Sequence, residues 1–212
     1  SLFGVPFEGD QLVMVVRRAI EHRRLSQEND ALKRDRDPHP RATGPALVGS
    51  SKPMRNLAQQ IRQVAHSSGT VLIQGESGTG KEVAARHIHE KSDRAGAPFI
   101  VSNAATIEPH LMEEVLFGRS HSDGRLELGL FDRAHRGTLF FDEVAEMPMG
   151  TQAKILRILV DQSFQRPGSG DLVRVDVRLI SASTRDLKTE IAAGRFREDL
   201  YHRLNVVPIE VP

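Results

Sequence analysis

Cysteine is missing from the sequence altogether, and its 212 residues include only one tyrosine. Without cysteine the chain can form neither a disulfide nor a thiolate metal site, which favours a reducing compartment, and we expect a cytoplasmic protein. No apolar run approaches the length of a membrane span and no signal-peptide pattern opens the chain, so we expect no membrane partner. The 29 Lys and Arg residues balance 28 Asp and Glu residues, which excludes a generic polyanion binder.

Helical periodicity dominates the first part of the chain. Residues 9–37 are predicted to form one long linker helix with an apolar stripe at helical spacing. Its members are Leu12, Val13, Val16, Ala19 and Ile20. Further on, Leu25, Asn29 and Leu32 continue a heptad-like seam, in which a buried asparagine would fix the register. The helix is therefore either a dimerising coiled coil or a solvated linker helix. Residues 38–46 contain three prolines and no periodicity, which is typical of a flexible linker.

Strand and helix patterns alternate from residue 47 to the end of the chain. The strand patterns are Val71–Gln74, Phe99–Ser102, Thr138–Phe141 and Leu172–Ala182. The helix patterns are Met54–Ala65, Lys81–Lys91, Ala153–Asp161 and Leu187–Ala193. Strands separated by helices favour a parallel sheet that is flanked by helices on both faces. The sequence therefore predicts an α/β fold of the P-loop NTPase type over residues 47–212, preceded by the long N-terminal helix.

A glycine-rich segment directly after the apolar run Val71–Ile73 predicts a phosphate site. Glycines let the backbone turn tightly so that its N–H groups point at an anion, and the N-terminus of the next helix adds partial positive charge. The predicted nucleotide-binding residues are Gly75, Glu76, Ser77, Gly78, Thr79, Gly80, Lys81 and Glu82. Lys81 would bridge the terminal phosphates of ATP. Glu82 stands where the usual pattern has Ser or Thr as a Mg²⁺ ligand, so the metal must find other ligands.

Two carboxylates close a second buried strand. Asp142 and Glu143 directly follow the segment Gly137–Phe141. In a P-loop protein Asp142 would hold Mg²⁺, directly or through water, and Glu143 would polarise the attacking water. A solvated acidic turn after a core strand is the structural alternative. The presence of the Gly75–Lys81 loop in the same chain favours the nucleotide site.

Three segments together carry a family resemblance. They are Gly75–Glu82 (GESGTGKE), Gly137–Val144 (GTLFFDEV) and Gly194–Val211 (GRFREDLYHRLNVVPIEV). With them, residues 47–212 resemble the AAA+ domain of the NtrC family, bacterial enhancer-binding regulators of sigma-54 RNA polymerase. The resemblance implies an ATPase that uses Mg²⁺ and ATP and that is active as a hexameric ring. Glutamate at position 82 is normal in that family.

The resemblance also implies roles for single residues. Asn103 matches the asparagine that pairs with the catalytic glutamate, although it could instead cap the end of its strand. Ser183 and Thr184 occupy the γ-phosphate sensor turn, where the family usually has Thr followed by Asn or His. Arg197 and Arg203 match the arginine fingers that complete a neighbouring subunit's site. Surface arginines on an amphipathic helix are the structural alternative for that pair.

The sigma-contact motif of the family, GAFTGA, is not found in the sequence. After Leu116–Gly118 the chain continues through residues 119–128, a shorter segment without a Phe-Thr pair. The sequence therefore does not support a contact with the sigma-54 factor. A dimeric transcription-factor scaffold that does not remodel the polymerase is the alternative function. Asn103–Thr106, the missing motif and Val160–Phe164 most resemble a branch of the family that controls nitrogen metabolism.

Neighbouring domains are expected on both sides of this chain. Residues 1–8 resemble the last loop of a receiver domain, which implies a cognate sensor histidine kinase as a partner. In the family, a helical lid and then a DNA-binding domain follow the segment that ends here at Pro212, which makes DNA a partner as well. Because the chain starts at Ser1 and stops before that lid, we expect it to be a piece of a longer response regulator. We expect the piece alone to bind nucleotide weakly and to hydrolyse it slowly.

Overall fold

A computed structural model describes residues 49, 51–123 and 125–212 of the chain. The predicted receiver end (1–8), linker helix (9–37) and flexible linker (38–46) lie outside the described residues. In chain order the described elements are α1 (Lys52–Ala65), β1 (Val71–Gln74), α2 (Lys81–Glu90), β2 (Phe99–Asn103), α3 (Met112–Phe117), β3 (Arg119–Ser120), β4 (Leu126–Glu127), α4 (Leu130–Arg133), β5 (Thr138–Asp142), α5 (Met149–Asp161), β6 (Ser163–Gln165), β7 (Leu172–Arg174), β8 (Arg178–Ser183), α6 (Leu187–Ala192), α7 (Glu198–Leu204) and β9 (Val207–Glu210). Short 3₁₀ helices follow β2 and β5.

The main sheet has five strands in the order β2-β5-β8-β1-β9. All four strand pairs are parallel. The carboxyl ends of parallel strands meet at one edge of a sheet. Asn103 at the end of β2 accordingly stands opposite Asp142 at the end of β5, and Gln74 at the end of β1 stands opposite Ser183. The α/β expectation is confirmed, and this edge carries Asn103, Asp142 and Ser183 from the residues singled out above.

Each face of the sheet has its own apolar core. Because side chains alternate along a strand, Leu72 points to one face while its neighbours Val71 and Ile73 point to the other. Helices α1 and α2 pack on the face of Val71 with buried side chains such as Ile61 and Ile88. Helices α5, α6 and α7 cover the opposite face. The helices packed on the two faces hold the strands in place and therefore fix the distances between the strand ends.

Helix α1 is capped at both ends. Its Ser51 side chain accepts a hydrogen bond from the backbone N–H of Met54. At the other end, the buried guanidinium of Arg178 donates to the backbone oxygens of Val64 and Ala65, at 2.8 and 2.7 Å. Arg178 is the first residue of β8, a central strand of the sheet. A side chain from the strand therefore caps the carboxyl terminus of this helix, where its positive charge also interacts favourably with the helix dipole.

Two small hairpins, β3–β4 and β6–β7, lie beside the main sheet. The backbone N–H of Ser120 in the first donates to the oxygen of Pro167 in the second, at 3.0 Å. A buried ion pair connects the turn of the second hairpin to α4, which follows the first hairpin. The Arg166 guanidinium binds both carboxylate oxygens of Asp132, at 2.7 and 2.9 Å, and also donates to the backbone oxygen of Phe117. Asp132 accepts in addition from the backbone N–H of Gly129.

The first hairpin has a narrow neck between Gly118 and Gly129. Gly118 has a φ of +69°, and a Cβ on it would overlap the backbone oxygen of Glu127. A Cβ on Gly129 would overlap the backbone nitrogen of Gly118. Glycine is therefore required at both positions, because the two arms of the hairpin pass each other without room for a side chain.

The prediction of one long strand over Leu172–Ala182 was wrong. The structure has two strands there, β7, which pairs antiparallel with β6, and β8, which pairs parallel within the main sheet. Between them, Val175 is buried and Val177 packs against the same core. The apolar alternation thus continues through the break, and alternation alone does not reveal a change of sheet.

Candidate nucleotide site

A cleft of about 620 Å³ opens at the carboxyl edge of the sheet. It lies beside the ends of β1, β8 and β9. Its lining residues are Gln74, Gly75, Glu76, Thr79, Ser183, Thr184, Arg185, Asp186, Glu210, Val211 and Pro212. Five of them belong to the sequence-predicted set, namely Gly75, Glu76, Thr79, Ser183 and Thr184.

The glycine-rich loop forms one wall of this cleft. Gly78 and Gly80 have φ angles of +81° and +92°, which side-chain-bearing residues adopt only with strain. Gly75 is required for another reason, because a Cβ on it would lie 2.8 Å from the backbone oxygen of Val211. Helix α2 begins directly after Gly80, so the free N–H groups of its first turn face the loop. The loop therefore offers the anion cradle that its sequence predicts.

Lys81 folds back over the loop. Its Nζ donates to the backbone oxygens of Gly75 and Glu76, at 3.1 and 2.9 Å, and the residue is 6% exposed. The adjacent Glu82 instead pairs with Arg86 one turn along the helix, at 2.8 Å. The cation is thus held beside the anion cradle, while the carboxylate of Glu82 is bound by a neighbouring side chain.

The two carboxylates lie at the end of β5, where Asp142 is the last residue of the strand and Glu143 follows it. Asp142 Oδ1 accepts a hydrogen bond from the backbone N–H of Glu143 at 3.0 Å. Burial raises the pKa of Asp142, the nearby carboxylates of Glu143 and Glu82 act in the same direction, and Lys81 opposes them. A half-buried carboxylate of this kind is stabilised by a cation, so Asp142 fits the role of a divalent-cation ligand. The described residues contain no cluster of three or more His, Cys, Asp and Glu suited to a metal.

Glu143 has a left-handed backbone, with a φ of +51° and a ψ of +49°. This conformation costs of order 1 kcal/mol or more in a residue with a side chain. Its carboxylate Oε2 accepts two hydrogen bonds from Thr184, from the hydroxyl at 2.8 Å and from the backbone N–H at 3.1 Å. The turn after β8 therefore holds the carboxylate that the sequence assigns to water activation.

Asn103 makes no hydrogen bond to Glu143 in this structure. Its Nδ2 lies 3.4 Å from Asp142 Oδ2, as expected from the register that sets the two residues side by side. Its Oδ1 accepts from the backbone N–H of Ala105 and so caps the 3₁₀ helix after β2. The expected Asn103–Glu143 contact is thus replaced by a bond to Asp142, and the side chain fills the alternative role of a strand-end cap.

Ser183 and Thr184 have different surroundings. Ser183 is 1% exposed. Its hydroxyl bonds locally, since it donates to the backbone oxygen of Arg185 and accepts from the backbone N–H of the same residue. Thr184 faces Glu143 as described. Of these two residues, only Thr184 therefore hydrogen-bonds to a predicted catalytic residue, Glu143.

Arg197 and Arg203 lie outside the lining of the cleft. Arg197 is the residue that precedes α7, and its guanidinium binds both oxygens of Asp199 at 2.6 and 2.9 Å. Arg203 lies in the last turn of the same helix and is exposed.

The sequence interpretation missed Gln152, which is fully buried in the first turn of α5. A signal existed, because Gln152 precedes the buried Ile155 by three residues and so shares the apolar face of that helix. Glu190 was missed as well. It is 6% exposed and accepts two hydrogen bonds from the Arg195 guanidinium.

The strand order and the glycine loop between β1 and α2 define a P-loop nucleoside-triphosphate-binding core. Comparison with known proteins gives the family. The protein-family model described as the Sigma-54 interaction domain matches residues 47–210, and the chain belongs to this family. The predicted resemblance to NtrC-type regulators is confirmed at this level.

Three relatives illustrate the similarity. The nitrogen assimilation regulatory protein NtrX of Azorhizobium caulinodans is 50% identical over 208 residues, which are 98% of this chain and 44% of that protein. The DNA-binding transcriptional regulator NtrC of Salmonella typhimurium is 40% identical over 215 residues, with the same two shares. A crystal structure of NtrX from Brucella abortus in complex with ATP is 46% identical, with a TM-score of 0.76, and the match covers 98% of this chain and 43% of that one. The chain therefore spans less than half the length of these relatives.

In the described part of the chain, no helix combines the length and apolarity that crossing a bilayer requires.

Proposed function

We propose that the chain is the ATP-binding core of a cytoplasmic, NtrX-like response regulator that controls nitrogen-related transcription. The proposed layout is a receiver end at 1–8, a dimerising helix at 9–37, a linker at 38–46 and the α/β part of an AAA+ domain at 47–212. The names of the relatives and the shares of their length support this layout. A sensor histidine kinase and DNA are then the partners of the neighbouring domains.

One observation carries the chemical part of the proposal. The glycine loop after β1, Asp142 at the end of β5 and Thr184 after β8 meet at the same edge of one parallel sheet. The loop N–H groups and Lys81 would bind the phosphates, and Asp142 would hold Mg²⁺. Mg²⁺ bound there would offset the charge of the phosphates. Since the described residues offer no larger acidic cluster, phosphate oxygens and water would complete its ligands.

The proposed reaction is hydrolysis of ATP to ADP and phosphate. The oxygen of a water molecule forms a bond to the γ-phosphorus while the bond from that phosphorus to the β–γ bridging oxygen breaks. Glu143 polarises the water and takes its proton. Its Oε1 can do this with Thr184 still bound, because both hydrogen bonds from Thr184 engage Oε2; in a second, exchanged state the carboxylate would leave Thr184. Asn103, one residue away in the register, would receive the glutamate in the exchanged state.

Arg197 and Arg203 would act on a neighbouring subunit. Neither arginine lines the cleft, Arg203 is exposed and Arg197 is partly exposed, so both are accessible to a neighbouring subunit. A guanidinium that reaches the γ-phosphate of an adjacent subunit stabilises the charge of the transition state. Asp199 holds Arg197 in the isolated chain and would release it on assembly. We propose a hexameric ring as the active form and a dimer through residues 9–37 as the resting form.

Substitution of Lys81 tests the nucleotide site. The Lys81→Ala variant loses a charge-assisted contact with phosphate, each such bond being worth about 1.5–3 kcal/mol, so the Kd for an ATP analogue should rise roughly 10- to 150-fold. The measurement is a titration with the analogue and Mg²⁺, followed in parallel by light scattering for assembly. Lys91→Ala, at the exposed end of the same helix, is the control and should leave the Kd unchanged. Unchanged affinity in Lys81→Ala would contradict the proposed site.

The alternative is a scaffold that does not remodel sigma-54 polymerase. The hairpin at residues 119–128 favours it, because the segment carries no Phe-Thr pair and Arg125 pairs with Asp123 in the turn. On this alternative, the folded Lys81→Ala protein would regulate its target genes in cells as the unaltered protein does. Loss of regulation with retained folding would favour the ATPase.

A further inference from the structure

The side chain of Gln152 joins two segments that are distant in sequence. Its Nε2 donates to the backbone oxygens of Met147 and Arg195, at 2.8 and 2.9 Å. Its Oε1 accepts from the backbone N–H of Arg197 at 2.9 Å. The residue has no exposed surface, and both N–H groups of the amide are used.

The two joined segments are those of the proposed catalytic glutamate and of a proposed arginine finger. Met147 ends the 3₁₀ turn that begins at Glu143. Arg195 and Arg197 form the approach to α7, and Arg197, at the N-terminal cap position, makes no side-chain cap. The direction in which Arg197 leaves the surface therefore depends on a backbone that Gln152 holds.

Charged side chains form a second connection between the same segments. Arg185 binds Glu146 in the 3₁₀ turn at 2.5 Å and lies 3.9 Å from Glu190. Glu190 in turn binds the Arg195 guanidinium through both oxygens. The ion pairs involve exposed arginines, whereas the contacts of Gln152 are shielded from water, so Gln152 is the more rigid of the two connections.

We propose that Gln152 is a positioning residue. It orients Arg197 toward the site of the neighbouring subunit, and this orientation depends on the conformation of the Glu143–Met147 segment in the same subunit as Gln152. This rests on the proposed function, in which Arg197 acts in trans. If nucleotide binding shifts the Glu143–Met147 segment, the side-chain amide of Gln152 would transmit that shift to the backbone of Arg195–Arg197. The site of one subunit would thereby influence the rate in the next.

Gln152→Met tests the proposal in the full-length protein, since Met keeps the length of the side chain and removes its hydrogen bonds. In assembled protein we expect kcat to fall roughly 10- to 100-fold, because misplacing a transition-state group by about 1 Å costs about 100-fold. The Kd for ADP should stay within about twofold, because Gln152 does not line the cleft. Gln60→Met, an exposed position on α1, is the matched control.

Mixed assemblies separate a role in trans from general damage. Gln152→Met subunits keep an intact Glu143, and Glu143→Gln subunits keep an intact Arg197 with its Gln152. A Gln152→Met subunit that receives its arginine from a Glu143→Gln neighbour is therefore complete. Random mixing in equal amounts should restore roughly a quarter of the wild-type sites, although each variant alone is slow.

The outcomes distinguish this proposal from the one on which it rests. Arg197→Ala mixed with Glu143→Gln should recover activity in the same way, and failure there would refute the action of Arg197 in trans. Recovery in that mixture but not with Gln152→Met would refute only the role of Gln152. If Gln152→Met does not assemble, Gln152→Leu, which is also uncharged and lacks all three hydrogen bonds, takes its place with the same expectations.

Discussion

Removing the buried Arg166–Asp132 pair should destabilise the domain strongly. The two side chains are 6% and 11% exposed and make two parallel hydrogen bonds. In Arg166→Met the aliphatic stem is retained, but the Asp132 carboxylate stays buried without its cation and the oxygen of Phe117 loses a donor. Breaking a buried pair from one side costs about 3–5 kcal/mol. We therefore expect the free energy of unfolding to fall by about that amount and Tm by roughly 6–20 °C.

A second substitution should restore part of the lost free energy of unfolding. Asp132→Asn in the Arg166→Met background removes the unpaired charge and still offers an oxygen to the Gly129 N–H. We expect it to restore about 1–2 kcal/mol, although Asp132→Asn alone is destabilising. That reversal of sign is the specific signature of a buried charge pair.

Urea denaturation followed by far-UV circular dichroism measures these changes, since the sequence has no tryptophan to report fluorescence. Arg157→Met is the control. It removes an exposed pair with Asp161 on α5, whose side chains are 65% and 46% exposed, and should cost about 0.3–0.5 kcal/mol. A loss below about 1 kcal/mol in Arg166→Met, or a further loss on adding Asp132→Asn, would refute the reasoning.

Two further predictions concern the fold. Burial lowers the pKa of His89, whose Nδ1 lies 2.9 Å from the Thr138 hydroxyl. The unfolded chain then binds a proton at higher pH than the folded one, so stability should fall as pH decreases through about 6.5, and His89→Asn should flatten this slope in urea titrations at several pH values. Gly118→Ala should cost about 1–3 kcal/mol or more, because of its positive φ and the overlap with Glu127. Gly96→Ala, with open space around it, should be nearly neutral by the same assay and serves as its control.

The sequence predicted the parts of the site that depend on local order. The glycine loop and the Asp142–Glu143 pair each follow a buried apolar run, so their places at strand ends could be read from spacing alone. The partner of Asn103 could not. Its choice between the two carboxylates depends on the strand register and on the left-handed turn at Glu143, neither of which has a sequence period.

Contacts between distant segments were also beyond the sequence. Arg166 and Asp132 are 34 residues apart, and Gln152 meets Arg197 across 45 residues. Gln152 lies on an apolar helix face and Arg166 in a polar segment, and neither context identifies the partner. The break between β7 and β8 was missed for a related reason, since Val175 and Val177 keep the pattern of a continuous strand while the chain leaves one sheet for another.

The closure of α1 by Arg178 has a consequence for how the domain opens. If the last turn of α1 frayed alone, a buried guanidinium in the central strand would lose the oxygens of Val64 and Ala65, its only hydrogen-bond acceptors among the described residues. Partial opening at that end is therefore costly, and the helix and β8 belong to one cooperative unit. Their backbone amides should exchange with solvent deuterium together, at the slow rate set by global unfolding, while those of the exposed hairpin tip at Asp123 and Arg125 exchange early.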